Sequence, residues 1–324
     1  MICCYRVSRA WRHMGEDPQL WSQTRVRIPS RATSFVPDII TSSKMKLLRD
    51  LKLEQCVTAK TAESILRLII EHGKIEKLDV SGSKLSLVGC ETMRKLTKML
   101  RKLVAENCRL TSSQSENIFQ VIDEEDDCQM KALMIGNNNL SGIKFHHLSA
   151  VSKLSSFHCD NSRLPIPHLT KILESLTSED SLLEDLNLMQ NSLLILHHTL
   201  IARALSNLKS VNLWGTDAIC FSLFTEMAEG RSRLERLNLG SADLSYYPPP
   251  LVTNSVMSLQ DANLSHANIS PIQLNMLLST IVTSNTCNLH TLTMLNLHSS
   301  EYGIDEDLLK QVEEKIPKFE ISFG

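Results

Sequence analysis

Leu183-Glu184-Asp185-Leu186-Asn187-Leu188-Met189-Gln190-Asn191-Ser192-Leu193 places leucine at its first, fourth, sixth and eleventh positions and asparagine at its ninth. Leu186 and Leu188, two residues apart, share one face of an extended strand, and Asp185, Asn187 and Met189 face the other way. The spacing recurs. Clear copies are Leu48/Leu51/Leu53/Cys56, Ile75/Leu78/Val80/Ser83, Leu100/Leu103/Ala105/Cys108 and Met130/Leu133/Ile135/Asn138. Looser copies are Leu154/Phe157/Cys159/Ser162, Leu208/Val211/Leu213/Thr216, Leu234/Leu237/Leu239/Ala242 and Leu259/Ala262/Leu264/Ala267, with a terminal half-copy Ile316/Phe319/Ile321. Near residue 290, starts at Leu289 and Leu292 both fit. Leu292 is preferred, because Leu292/Leu295/Leu297/Ser300 reproduces the Leu-Asn-Leu of 186–188 and 237–239.

The ten intervals from Leu48 to Ile316 average about 27 residues. A period of roughly 20 to 24 leaves room only for an extended or 3₁₀ return, whereas one near 29 accommodates a helix. The returns read as helical: Ala62, Ile65, Leu66, Ile69 and Ile70 form a 3.6-residue stripe, as do Leu169, Ile172, Leu173 and Leu176. Ser113 and Glu116 have the spacing of a capping box. One strand-turn-helix unit cannot bury its apolar faces alone, so repeats must stack. The expected fold is an α/β solenoid, a right-handed horseshoe of about ten repeats with a concave parallel sheet and convex helices. At the ninth position, Cys56, Cys108, Asn138 and Asn191 satisfy loop backbone groups, which makes the two cysteines structural. From Leu48 to Phe323 the chain resembles the ribonuclease-inhibitor-like class of leucine-rich repeat proteins.

Composition agrees. Of 324 residues 50 are leucine, against 11 glycines and 10 prolines, which excludes a disordered or collagen-like chain. With 34 basic and 36 acidic residues, no global field draws the chain to nucleic acid or to a membrane. Nine scattered cysteines, without a C-x-x-C pair or an apolar leader after Met1, read as a reduced intracellular protein, cytoplasmic or nuclear. The apolar stretch Leu193–Ala202 is interrupted by His197 and His198 and falls short of a membrane span. No G-x-S-x-G, H-E-x-x-H, P-loop or G-x-G-x-x-G string occurs. The pairs His146-His147 and His197-His198 are adjacent, whereas metal ligands on a helix need a spacing of three or four, so both pairs read as solvated or partly buried. No catalytic residue, cofactor or metal is expected. The run Asp123-Glu124-Glu125-Asp126-Asp127 reads as a solvated loop. Pro248-Pro249-Pro250 must disrupt or delay a helix.

Ahead of the repeats lies Val7-Ser8-Arg9-Ala10-Trp11-Arg12-His13-Met14-Gly15-Glu16-Asp17-Pro18-Gln19-Leu20-Trp21. It reads as a helix ending near His13 or Met14, a turn over Gly15–Pro18 and an anchor at Leu20-Trp21, a cap for an open solenoid end. In the order and spacing of Val7, Ser8, Arg9, Trp11, Asp17, Leu20 and Trp21 it also resembles the C-terminal half of an F-box. That resemblance implies adaptor-binding residues at Val7, Trp11, Leu20 and Trp21, a Skp adaptor and cullin-RING ligase as partners, and a role as substrate receptor of an SCF-type ubiquitin ligase. The opening Leu-Pro and first apolar helix of the family's pattern are missing ahead of Met1. Either they lie upstream, and the complete protein binds the adaptor, or the segment is a remnant whose Trp11 and Trp21 pack against the first repeat. The expected organisation is residues 1–22 as the F-box-like segment, 23–47 as linker and N-terminal cap, and 48–324 as repeats.

Strand alternation defines the face open to a partner. Its middle column reads Lys52, Asp79, Val104, Met134, His158, Asn187, Asn212, Asn238, Asn263, Asn296, and the asparagines are expected to bond to one another as a ladder at about 4.8 Å. The flanking column holds Asp160, Met189, Trp214, Ser265 and His298. An aromatic on a polar sheet is the residue type that anchors an interface. The expected site is therefore Trp214 surrounded by His158, Met189, Arg236 and Asp261, receiving an unidentified protein substrate. The alternative is a free-standing leucine-rich repeat scaffold or inhibitor.

Overall fold

A computed structural model of the chain describes residues 25–28, 48–53, 55, 58–72, 74–216, 221–285, 287–297 and 304–323. Val7, Trp11, Leu20, Trp21, Cys56 and His298 lie outside these. The chain divides after Leu154 into two compact units. In the first, strands β1 (Arg25–Ile28), β2 (Asp50–Leu53), β3 (Lys77–Asp79), β4 (Lys102–Val104) and β5 (Ala132–Met134) pair in chain order, all parallel. The returns are helices α1 (Ala62–His72), α2 (Cys90–Met99), α3 (Ser112–Glu124) and a 3₁₀ segment, Phe145–Lys153.

The second unit holds β6 (Ser156–His158), β7 (Asp185–Asn187), β8 (Ser210–Asn212), β9 (Arg236–Asn238), β10 (Asp261–Asn263), β11 (Thr291–Leu297) and β12 (Lys318–Phe323), again parallel and in order. Its helices are α4 (Ile166–Leu176), α5 (Ile195–Ala204), α6 (Phe221–Ala228), α7 (Pro249–Met257), α8 (Pro271–Thr283) and α9 (Glu306–Lys315). Parallel neighbours require a crossover, and each return segment supplies it. The fold is the expected α/β repeat. β1 falls within the stretch read as linker and cap, so the first unit's sheet begins one strand before Leu48.

Fourth-position residues are cross-strand partners: Leu51, Leu78, Leu103 and Leu133 in the first unit, Phe157, Leu186, Val211, Leu237 and Ala262 in the second. All nine are buried, against helix residues such as Ile65, Ile69, Leu169 and Ile172. The tenth repeat needs a correction. Ala262 pairs with Leu292, and Leu292 with Phe319, so this repeat starts at Leu289 and not at Leu292. The Leu295-Asn296-Leu297 echo instead falls where the β11–β12 register shifts.

A second regularity confirms that start. The eighth residue of every repeat is left-handed: Gln55, Gly82, Asn107, Asn137, Asn161, Gln190, Gly215, Ser241, His266 and Asn296 all have φ between 46° and 72°. A non-glycine residue pays about 1 kcal/mol or more for this conformation. The turn in exchange aims its N–H at the next repeat. Gly82, Asn107, Asn161, Gln190, Gly215, Ser241 and His266 donate to seventh-position carbonyls of the following repeat at 2.7–3.0 Å.

At Cys108, Asn138 and Asn191 the ninth position behaves as expected. Buried Asn138 accepts from the N–H groups of Cys108 and Leu110 at 3.1 and 3.0 Å and donates to the carbonyls of Ala105 and Ile135 at 2.8 and 2.9 Å. Cys108 Sγ donates to the Val80 carbonyl at 3.1 Å, and burial pushes its thiol up to about 12, which makes it inert.

Three local expectations change. The repeat beginning at Met130 is only 24 residues long, and its return is 3₁₀ and not α-helical. The α3 capping box is Thr111 with Gln114, since Glu116 is occupied in accepting from the Lys144 N–H at 2.5 Å. Three carboxylates of the acidic run are ion-paired: Glu125 meets Arg94 and Lys98 at 2.6 and 2.8 Å, Asp127 meets Lys98 at 3.0 Å, and Asp123 meets Lys153 at 3.5 Å. The prolines, by contrast, act in one of the two expected ways: they delay α7 without breaking it. Pro248 and Pro249 serve as N-cap and first residue, where no N–H is needed, about fifteen residues after Leu234 and not the twelve or thirteen of α4, α5, α6 and α8.

His147, His197 and His198 are buried, where solvated or partly buried side chains were expected. His197 accepts from the Leu194 N–H at 3.0 Å, and its Nε2 lies 3.0 Å from Thr170 Oγ1. Neither ring nitrogen of His198 has a hydrogen-bond partner. Burial, with the neighbouring His197 second, holds its imidazole down at about 4.

Two outcomes follow from these buried groups. Asn138→Leu removes four backbone partners at once and is expected to cost about 3 kcal/mol in urea unfolding. The unfolded chain protonates His198 near 6.5 and the folded chain near 4, so stability present above pH 6.5 is lost as pH falls toward 4. His198→Leu should remove about 2 kcal/mol of the loss between pH 7 and pH 5, read from urea midpoints.

Candidate functional site

Three columns run across the exposed sheet face of the second unit. At the third position stand Ser156, Asp185, Ser210, Arg236, Asp261 and Thr291; at the fifth, His158, Asn187, Asn212, Asn238, Asn263 and Thr293. The seventh holds Asp160, Met189, Trp214, Gly240 and Ser265, where each strand gives way to its turn.

The asparagines do not form the expected ladder. Asn187, Asn212, Asn238 and Asn263 each accept, through Oδ1, from the N–H two residues on: Met189, Trp214, Gly240 and Ser265, at 2.9–3.1 Å. The sixth and eighth N–H groups reach carbonyls of the next repeat, while the seventh does not, so its own strand's asparagine satisfies it. Asp79 does the same for Ser81 in the first unit, at 3.1 Å. Asn296 belongs to another position altogether, at the eighth, left-handed place of its repeat.

The five residues expected to form one site separate into three groups. His158 Nε2 lies 2.8 Å from Asp185 Oδ2, and Ser156 Oγ donates to the same oxygen at 2.8 Å. Burial would raise the Asp185 carboxyl, but the hydrogen bond and charge of His158, with bonds from Ser156 and Ser210, hold it down at about 2. This trio is not a nucleophilic relay. A relay uses both ring nitrogens, one for the acid and one for the serine, whereas here the serine donates to the carboxylate and the same nitrogen, Nε2, faces both.

Arg236 and Asp261, adjacent in register, line a groove of about 310 Å³ whose other walls include Ser210, Asn212, Asn263 and Thr293. Among the described residues no ion pair joins Arg236 to Asp261. Trp214 and Met189 stand at the opposite, C-terminal ends of the strands, side by side in the seventh column. The Trp214 indole lies over Gly240, where an added Cβ would come within 2.8 Å of Cδ2 and Cε3 and 3.1 Å of the Ser265 carbonyl. Its far side meets His266, ring centroids 5.7 Å apart. Gly240 and His266 had no signal of their own in the sequence: only the repeat register shows that Gly240 occupies the place next to Trp214.

The first unit's face is more strongly charged. Lys52 pairs with Asp79 at 2.9 Å, and Lys77 and Lys102 stand in register beside them. Among the described residues no group of three His, Cys, Asp or Glu side chains is placed to hold a metal ion, and no helix is long and apolar enough to cross a membrane.

Gly240→Ala should displace the indole. In a Trp11→Phe, Trp21→Phe background, Trp214 emission is expected to shift to the red with a loss of about 1 kcal/mol in stability. Asp185 contributes stability that is present above pH 3.8, its unfolded value, and is lost as pH falls through about 2. With the side chain about a third exposed, Asp185→Asn should cost about 1 kcal/mol at pH 6 and little near pH 2 in urea titrations.

No family model matches the chain, and no curated protein matches it. Among solved structures, the TLR13–ssRNA13 complex matches at a TM-score of 0.50 with 13% identity, over 94% of this chain and 45% of that chain. Human 5T4, trophoblast glycoprotein, gives 0.48 and 13% over 75% and 87%, and a leucine-rich repeat protein of Leptospira interrogans gives 0.45 and 14% over 93% and 82%. The chain thus spans less than half the length of the TLR13 chain it matches, and identities this low speak for the fold alone. One parallel strand per repeat, a left-handed turn after each strand and the likeness to the TLR13 chain together give the chain the leucine-rich repeat fold.

Proposed function

We propose that the chain is a protein-binding substrate receptor of an SCF-type cullin-RING ubiquitin ligase. In this reading the exposed sheet face of the second unit holds the target, and the F-box-like segment Val7–Trp21 engages the Skp adaptor. The observation that carries target binding is Trp214: a partly exposed indole, set over Gly240 and against His266, on a face whose other side chains, Met189 apart, are polar. A rigid aromatic of this kind loses little conformational freedom when a partner covers it. The asparagines are committed to their own backbone, so discrimination falls to Asp185 with His158, to Arg236 and Asp261, and to Trp214 with Met189. The ligase assignment is supported by the order and spacing of Val7, Ser8, Arg9, Trp11, Asp17, Leu20 and Trp21 just ahead of the repeats.

The chain itself carries out no chemistry in this proposal and needs no cofactor. It accelerates transfer by raising the effective concentration of target at the charged ligase. A second reading, a free-standing scaffold or inhibitor, keeps the same face and dispenses with the adaptor.

A C-terminal tag at the native locus separates the two. Recovery of a Skp adaptor and a cullin by mass spectrometry is expected; a different stoichiometric partner without them would leave the scaffold reading. For a target recovered in this way, Trp214→Ala is expected to weaken binding by about 2 kcal/mol, roughly thirtyfold, in a titration.

A further inference from the structure

The sheet face of the first unit carries a charge that the proposed function does not use. At the second and third positions of its four repeats stand Arg49, Lys77, Arg101, Lys102 and Lys131, against two carboxylates, Asp50 and Glu76. The strand starts therefore hold an excess of positive charge, in a chain whose net charge is -2. Glu76 is shared, 3.6 Å from Arg49 and 3.7 Å from Arg101. Asp50 flanks Lys77 on one side, and Lys102 flanks it in register on the other. Neither lysine forms an ion pair with a described residue. Like charges directly opposite one another destabilise a sheet, and an anion set between them relieves the repulsion.

The other carboxylates nearby are engaged or distant. Asp79 takes Lys52 at 2.9 Å. Glu106 is at the seventh position, on the order of 13 Å along the strand direction from Lys102 and beyond the roughly 8 Å over which physiological salt screens exposed charges. The acidic run at the end of α3 pairs with Arg94, Lys98 and Lys153, in α2 and the 3₁₀ segment.

The shape of the site selects among anions. Val104 and Met134, partners in register at the fifth position, are partly exposed beside Lys102. With Lys77, Lys102, Asp50 and Asp79 they line a pocket of about 300 Å³, cationic at the third position and apolar at the fifth. Those positions lie about 6.6 Å apart along a strand, which is also the separation of side chains i and i+2 in an extended peptide. An extended segment running along the strands can therefore set a carboxylate between the two lysines and an apolar side chain against Val104 and Met134. A nucleic-acid strand fits less well, since among the described residues this face offers no aromatic side chain for a base to stack on.

We propose that the first unit's sheet face docks an extended acidic segment of a partner protein, in which one residue separates a carboxylate from an apolar side chain. The inference goes beyond the target reading, which uses the second unit, and stands or falls separately from it.

The test uses the full chain and a fluorescein-labelled twelve-residue peptide that repeats glutamate-serine-leucine-serine. Fluorescence anisotropy should show it binding at least tenfold more tightly than a version with lysine for glutamate, and at least threefold more tightly than one with serine for leucine. The double substitution Lys77→Gln, Lys102→Gln should weaken it about tenfold with an unchanged circular-dichroism melt. Lys77→Arg with Lys102→Arg should retain it, and Trp214→Ala should leave it unaltered. Equal binding of the glutamate and lysine peptides, no binding, or binding that survives the double glutamine substitution overturns the proposal. So does self-association in sedimentation that this substitution abolishes, which would assign the face to a second copy. Oligouridylate bound more tightly than the acidic peptide, and lost in the same variant, would overturn it in favour of nucleic acid.

Discussion

Strands β3 to β10 are three residues long each, and what makes so short a strand usable is the left-handed residue at the eighth position of every repeat. That single conformation turns the chain off the sheet and aims one more N–H at the carbonyl of the following repeat. It also brings the ninth position inward, where Asn138 or Asn191 can bond loop backbone on two repeats at once. Leucines bury themselves against the next repeat only because this turn returns the chain in register. The cost of eight non-glycine residues held at positive φ is offset by the bonds that the geometry creates.

The same economy shapes the surface. A seventh-position N–H left out of the ladder needs an acceptor, and asparagine two residues before it supplies one in four consecutive repeats. A column that looks like a recognition surface is thereby drawn into holding up the fold. What remains for a partner sits on either side of it: Arg236 and Asp261 where strands begin, Trp214 and Met189 where they end. Trp214 is held in place because Gly240, one repeat on, leaves room for its ring.

Much of the architecture was legible in the residues because burial imposes a strict period. Nine fourth-position residues fall where the leucine spacing puts them, and the stripes of α1 and α4, Ile70 apart, are buried. The tenth repeat was misread for an instructive reason: Leu295-Asn296-Leu297 copies the local pattern, but pairing with Phe319 selects Leu292 as the fourth position. Local resemblance and cross-strand register competed, and register won because it determines which side chains are buried. The capping box of α3 shifted likewise, since Glu116 had a better use in the adjacent loop.

By itself the sequence determined the repeat, its period, the strand-turn-helix order and the structural role of the ninth position, since each follows from side chains that must leave water. Tertiary structure alone decided which polar residues are occupied. Three carboxylates of the acidic run meet Arg94, Lys98 and Lys153, the asparagines turn to their own backbone, and His198 is enclosed without a partner. It also decided that Trp214 rests on Gly240 and that Lys77 and Lys102 stand side by side with no ion pair to a described residue. These are relations between repeats some 25 residues apart, and only the stacked geometry brings them within reach of one another.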